Sequence, residues 1–152
     1  MTSLSFRTRT TAGFQLDAAR DPRVRLVRKR ALRVTVHFAS SASRLATPEG
    51  TIAVSPGDAI IDDDQGRRWG VDRARFDAKY APVPPAVRGQ AGVYTSLPVE
   101  ALAMQMAQPF RVRFTDGISE LEGGPGDWLL DYGDGSLGVV AADAFLNSYD
   151  LV

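Results

Sequence analysis

The sequence predicts a β-rich α+β fold in which two tandem homologous units, each ending in a short helix, pack as a pseudo-symmetric pair. Three observations predict it: a repeat at a constant offset, strand-and-turn patterns inside each copy, and an aromatic pair at helical spacing near the end of each copy. Because a unit of roughly 60 residues buries only a marginal core alone, we expect the two units to pack together.

The repeat appears when the chain is shifted by 69 residues, which aligns 56–83 with 125–152. Nine of the 28 gapless positions are identical, and both copies begin with Pro-Gly-Asp. A weaker likeness upstream pairs "LRVTV" with "LPVEA". We therefore expect a basic N-terminal arm at 1–26, repeat unit one at 27–83, a linker at 84–92 and repeat unit two at 93–152.

Each unit begins with the same strand and turn signals. "PGD" is turn chemistry, since proline fixes φ, glycine permits a positive φ and aspartate can accept from the following backbone. "AII" and "WLL" follow as short buried strands, and "DDDQG" and "DYGDG" are hairpin turns. "RRWGV" and "SLGVV" then return as the partner strands.

A short helix is predicted after each hairpin. Asp72 can cap the first helix, and Phe76 and Tyr80 are spaced four apart, so they share one face. Phe145 and Tyr149 repeat that face in the second unit, where the cap position is alanine. Helices of about eight residues do not persist alone, so all four aromatic side chains should be buried against the sheets.

For one segment, local helix propensity and the repeat predict different secondary structures. The stretch 98–108, "PVEALAMQMAQ", is rich in helix formers and has a proline at its start. Its counterpart "LRVTVHFA" alternates and is β-branched, which is typical of a strand. We predict a strand at 97–105, with tertiary context overriding local propensity.

The formal net charge is zero, but the charges are unevenly distributed. Residues 1–35 hold nine Arg or Lys, whereas 116–152 hold eight acids and no Arg or Lys. One interpretation is a nucleic-acid arm using the Arg-rich segment 23–33, with Arg28, Lys29 and Arg30 at its centre. We favour the other: the acidic unit neutralises these cations, and nucleic acid binds no tighter than the usual non-specific level of about 10⁻⁴–10⁻⁶ M.

The spaced residues of both units resemble the PGDYG family. "GDWLLDYGDGSLGVV" with "FLNSY" is the closer match, and "GDAIIDDDQGRRWGV" with "FDAKYAPV" is the looser one. The resemblance covers about 27–152 and implies a bacterial or phage-related protein with two tandem copies of the motif unit. It brings no catalytic residues to carry over. Ala59 departs from the aromatic or aliphatic residue that usually follows "PGD".

Residue types that carry catalysis or bind metals give weak signals here. His37 is the sole histidine and lies in a predicted strand, and the acidic run 62–64 lacks the spacing of a calcium loop. Asp58 and Asp127 recur at the repeat offset, so each is interpreted as a turn residue. If the two carboxylates met, they could support a small hydrolase. We predict no catalytic residues, no metal site and no cofactor.

The function predicted from sequence is a non-enzymatic interaction or accessory module of phage or prophage origin. A protein is the expected partner, with nucleic acid as the alternative; Asp58, Asp127, Arg28, Lys29 and Arg30 form the candidate functional surface. No apolar run is long enough to span a membrane and no signal peptide is evident, so we expect a cytoplasmic location without membrane contact.

Overall fold

The computed structural model describes residues 4–7 and 15–152. These residues form fifteen strands and two helices, which confirms a β-rich α+β fold. In chain order the elements are β1 (Leu4–Arg7), β2 (Arg25–Lys29), β3 (Arg33–Phe38), β4 (Ser43–Thr47), β5 (Gly50–Val54), β6 (Ala59–Asp62), β7 (Arg68–Val71), α1 (Arg73–Lys79), β8 (Tyr80–Pro82), β9 (Gly92–Ser96), β10 (Glu100–Gln105), β11 (Phe110–Arg113), β12 (Glu120–Gly123), β13 (Trp128–Asp131), β14 (Leu137–Val140), α2 (Ala142–Ser148) and β15 (Tyr149–Leu151).

The strands form three five-stranded sheets. Sheet one has the spatial order β7-β6-β3-β9-β8, and sheet two has the order β14-β13-β10-β2-β15. The third, here called the shared sheet, has the order β1-β11-β12-β5-β4. Within the described residues every strand pairing is antiparallel except that of β1 with β11.

Two strands lie in a sheet formed mainly by the other half of the chain. β2 precedes β3 in sequence, yet it pairs with β10 and β15 in sheet two. β9 precedes β10, yet it pairs with β3 and β8 in sheet one. Sheets one and two are therefore each completed by a strand from elsewhere in the chain.

Three apolar clusters form the core. Phe76 of α1 packs on sheet one with Tyr80 and Tyr94, and Phe145 of α2 packs on sheet two with Tyr149. The third cluster joins the other face of sheet two to the shared sheet, and Leu16 and Val24 close it. The exposed fractions of Phe76, Tyr80, Phe145 and Tyr149 are 0%, 6%, 3% and 8%, so the predicted burial of these aromatics is confirmed.

The two helix starts differ as their sequences predict. The Asp72 side chain caps α1 by accepting from the Arg75 N–H at 3.0 Å. Ala141 precedes α2 and makes no side-chain cap bond; Asp127 Oδ1 instead accepts from the Ala142 N–H at 3.0 Å. The predicted strand at 97–105 is confirmed over Glu100–Gln105, which is β10; there, pairing on both sides overrides the helix-forming composition.

Some predictions on the N-terminal arm fall outside the described residues, namely those for 1–3 and 8–14. The rest of the arm includes β1 on the edge of the shared sheet. It also includes the first residues of β2. In the described part of the chain, neither helix has the length and apolar content needed to cross a membrane.

Candidate functional site

The two recurring aspartates hold turns. Asp58 Oδ2 accepts from the Ser55 N–H at 2.8 Å, and Asp127 Oδ2 accepts from the Gly124 N–H at 2.9 Å. The backbone around them is also alike: the Ala39 N–H donates to the Asp58 carbonyl, and the Met106 N–H donates to the Asp127 carbonyl, both at 2.9 Å. Each carboxylate thus orders the backbone of its own turn.

The basic candidates on β2 and just after it have two different environments. Arg28 Nη2 lies 3.5 Å from Glu100 Oε2, and Arg30 Nη2 lies 2.8 Å from Asp150 Oδ1; all four side chains are substantially exposed. Both acids belong to the second half of the chain. Lys29 alternates with these arginines along the strand, so its side chain points to the opposite side, into the interior.

The interior contains a cavity of about 510 Å³ that all three sheets line. Sheet one contributes Trp69 and Tyr80, sheet two contributes Lys29 and Tyr149, and the shared sheet contributes Ile52, Val54 and Leu121. A volume of this size lies within the range of small-molecule sites, roughly 300–1,000 Å³. The cavity is therefore the candidate functional site.

Lys29 presents its ammonium group between aromatic rings. Lys29 Nζ lies 4.8 Å from the centre of the Tyr149 ring and 6.0 Å from that of Trp69. Among the described residues no carboxylate forms an ion pair with it. Burial lowers the pKa of Lys29 from 10.5 to about 8, with Asp63 opposing and Lys79 adding to that shift. A cation that lies against aromatic rings without an ion-pair partner is well placed to receive an anion.

Three tyrosines surround the same space. Burial raises the pKa of Tyr132 to about 12 and raises those of Tyr80 and Tyr149 well above their ordinary values. The Tyr80 hydroxyl accepts from Trp69 Nε1 at 3.3 Å. All three hydroxyls stay protonated at neutral pH, so those that do not already donate within the protein can donate hydrogen bonds to a bound molecule.

The cavity has one charged wall and one uncharged wall, formed by residues 69 positions apart. The charged wall is formed by Asp63, Arg67, Arg68, Trp69, Arg75 and Lys79; their counterparts in the uncharged wall are Tyr132, Ser136, Leu137, Gly138, Ala144 and Ser148. A site of this kind can accommodate a molecule with both a polar and an apolar part.

The other cations that line the cavity are paired with carboxylates. Lys79 Nζ lies 3.2 Å from Asp134 Oδ2, and Arg67 Nη2 lies 3.2 Å from Asp143 Oδ2. Arg68 and Arg75 each lie 2.6 Å from a carboxylate, Asp62 and Asp72 respectively. Lys29 is therefore the one lining cation without such a partner in the described part of the chain.

The comparisons with known proteins place the chain in a family. A family model described as "PGDYG protein" matches residues 50–150. The chain belongs to the PGDYG protein family. No curated protein and no solved structure matches the chain. In this PGDYG chain the matched region includes both cavity walls, whereas Lys29 lies before it.

Sequence reasoning missed the cavity. It predicted Tyr80 and Tyr149 only as buried aromatics and placed Lys29 in a basic surface segment. The alternation of Arg28, Lys29 and Arg30 along a strand was the available signal, because alternate side chains face opposite sides. No pattern in the sequence indicated that the space between the sheets stays open.

Proposed function

We propose that this PGDYG protein is a non-enzymatic binding module for a small molecule, built from two homologous units that pair around the central cavity. The cavity is the observation that carries the proposal, because its size suits a small ligand and its walls combine apolar surface with a few polar groups. The proposal narrows the interaction module expected from sequence to one binding site.

The strand order supports the pseudo-symmetric pair. In sheet one the order outward from β3 is β6 and β7 on one side and β9 and β8 on the other. In sheet two, β10 is flanked in the same way by β13 and β14, and by β2 and β15. β7 is followed by α1 and β8, just as β14 is followed by α2 and β15.

The recurring aspartates support binding over hydrolysis. A general acid or base needs a carboxylate free to reach substrate, within about 3 Å of the proton that it transfers. Asp58 and Asp127 instead accept from backbone N–H groups of their own turns. The hydrolase alternative therefore lacks support from the two residues on which it depended.

The nucleic-acid alternative has similarly little support. Arg28 and Arg30 are paired with Glu100 and Asp150, and Lys29 faces the cavity. A fluorescence-anisotropy titration with nucleic acid at two salt concentrations tests this alternative, because phosphate contacts make affinity fall steeply with salt.

A protein partner, expected from the sequence, stays a prediction.

The binding proposal is tested with the uncharged fluorophore N-phenyl-1-naphthylamine. We expect saturable fluorescence enhancement with one site per chain. Ser148 lines the cavity, whereas its neighbour Asn147 is exposed. Ser148→Trp should therefore weaken binding at least about tenfold by filling the cavity, and Asn147→Trp should leave it unchanged.

Circular dichroism establishes that both tryptophan variants are folded. Binding that is absent in the original chain, or equally affected by both substitutions, would refute the cavity as the binding site.

A further inference from the structure

We propose that the cavity binds an amphipathic molecule with a single anionic head, a carboxylate or sulfonate, that pairs with Lys29 while an aromatic or aliphatic body lies along the uncharged wall. This inference rests on the proposed function and adds the chemical class of the ligand and the residue that selects it.

The first step is the charge balance. Arg67, Arg68, Arg75 and Lys79 each have a carboxylate within 3.2 Å, so their charges are already compensated. Lys29 has the rings of Tyr149 and Trp69 near its ammonium group and no ion-pair partner in the described part of the chain, although Asp63, beyond ion-pair distance, still favours its charged form. An anionic head that meets Lys29 supplies the charge-assisted hydrogen bond that the protein itself does not provide.

The second step limits the ligand to one negative charge. Five acidic side chains also line the cavity: Glu49, Asp58, Asp63, Asp72 and Asp116. Burial raises the pKa of Glu49, and Asp127 and Asp143 add to the rise while Arg67 opposes it, so removal from water disfavours a negative charge in this part of the cavity. A second anionic group away from Lys29 would find every other lining cation already paired with a carboxylate, so nothing in the described cavity would compensate its charge.

The third step places the body of the molecule. Leu137, Val139 and Val140 line the side that carries no charged residue along β14. Gly138 stands there at the position that corresponds to Trp69, and the Tyr132 ring covers it, so this part of the uncharged wall is also aromatic surface. Apolar surface buried against that wall contributes about 25 cal/mol per Å².

The hydroxyls of the tyrosines complete the head-group site. The Tyr149 ring adjoins Lys29 Nζ, and Tyr132 lies close enough to Tyr149 for the two hydroxyls to influence each other's pKa. The two hydroxyls share one hydrogen bond, so one of their two protons is left to donate to an anion, and neither hydroxyl, being neutral, repels it.

The test compares two probes that differ by one charge. 8-Anilino-1-naphthalenesulfonate and N-phenyl-1-naphthylamine share the same aromatic body, and only the first carries a sulfonate. Both are titrated into the original chain, Lys29→Met and the control Arg30→Gln, which removes a surface cation next in sequence to Lys29. Circular dichroism and the unfolding midpoint establish that each variant is folded.

We expect 8-anilino-1-naphthalenesulfonate to bind both the original chain and Arg30→Gln at least about tenfold more tightly than the uncharged probe binds them. One charge-assisted contact accounts for a difference of this size. Lys29→Met should abolish that preference, so that the two probes bind this variant with affinities within about threefold of each other. Dodecanoate should displace the sulfonate from the original chain better than dodecanol does.

The outcomes separate the two proposals. If the uncharged probe does not bind the original chain in the cavity, the proposed function fails. If it binds but the sulfonate shows no preference, or keeps its preference in Lys29→Met, the binding module stands and the assignment of Lys29 as the anion site is wrong.

Discussion

Sheets one and two each have five strands and pack against one helix, but they line the cavity with very different side chains. The aromatic pairs under the helices are identical, Phe76 with Tyr80 and Phe145 with Tyr149. The cavity walls are not: Arg67, Arg68 and Lys79 have counterparts without charge. Packing against a sheet tolerates few changes of shape, whereas side chains that line an open cavity can differ more freely.

One position shows how the second half accommodates such a change. Trp69 in β7 corresponds to Gly138 in β14, and the Tyr132 ring covers the space above that glycine. A Cβ at position 138 would lie 2.6 Å from the Tyr132 hydroxyl oxygen and 3.0 Å from a ring carbon. The aromatic surface on that side thus comes from the turn after β13 rather than from the strand.

The largest expected effect tests the identical part of the comparison. Phe76→Ala and Phe145→Ala should each lower the free energy of unfolding by about 3–5 kcal/mol, the usual cost of truncating a buried phenylalanine. Urea unfolding followed by circular dichroism measures both. A loss below about 1 kcal/mol at either position would break the equivalence of the two cores.

The two aspartate turns should differ in energy although they are alike in geometry. Asp127 accepts from both Gly124 and the start of α2, whereas α1 has its own cap and Asp58 bonds only Ser55 among the backbone donors described. Asp127→Ala should therefore cost about 2 kcal/mol and Asp58→Ala about 1 kcal/mol. Equal losses in urea unfolding would show that the second helix does not depend on Asp127.

Lys29 should make stability rise with pH. Its folded pKa, about 8, lies below the ordinary 10.5, so between those values the unfolded chain binds more protons and the free energy of unfolding increases. Above about pH 10 the buried tyrosines oppose this, because they stay protonated in the folded chain while unfolded tyrosines ionise.

Lys29→Met removes a charge that is costly to bury. It should raise the free energy of unfolding at pH 7 by about 1–2 kcal/mol and flatten the rise between pH 8 and 10. Urea unfolding at pH 7, 8, 9 and 10 measures both effects, with Arg30→Gln as the surface control. If Lys29→Met keeps the full pH dependence of the free energy of unfolding, that dependence originates from another group.

The smallest effects are expected at the surface ion pairs that link β2 to the second half. Arg30→Ala should cost about 0.5–1 kcal/mol, since its contact with Asp150 is short, and Arg28→Ala should cost close to zero. Raising the salt concentration should reduce the Arg30 effect. A loss above about 2 kcal/mol for either would indicate a structural role that exposed pairs seldom have.

The sequence predicted the parts of the fold that depend on local chemistry. Turn residues, the Asp72 cap and the apolar runs follow from short-range rules, and comparing the copies predicted β10 against its helix propensity. Which sheet β2 and β9 join depends on pairing between distant segments, which alternation alone does not encode. The cavity was likewise unpredictable, because it is the space left when three sheets meet.

The placement of β2 also sets an order of events during synthesis. β2 ends at Lys29, but the first of its two partners, β10, begins only at Glu100, and the second, β15, ends at Leu151. Sheet one can be completed once Ser96 has left the ribosome, because β9 is its last strand. A nascent chain therefore carries β2 with both edges unpaired while the rest of the first half is already built. Lys29 reaches its final surroundings only when Tyr149, near the end of the chain, has been made.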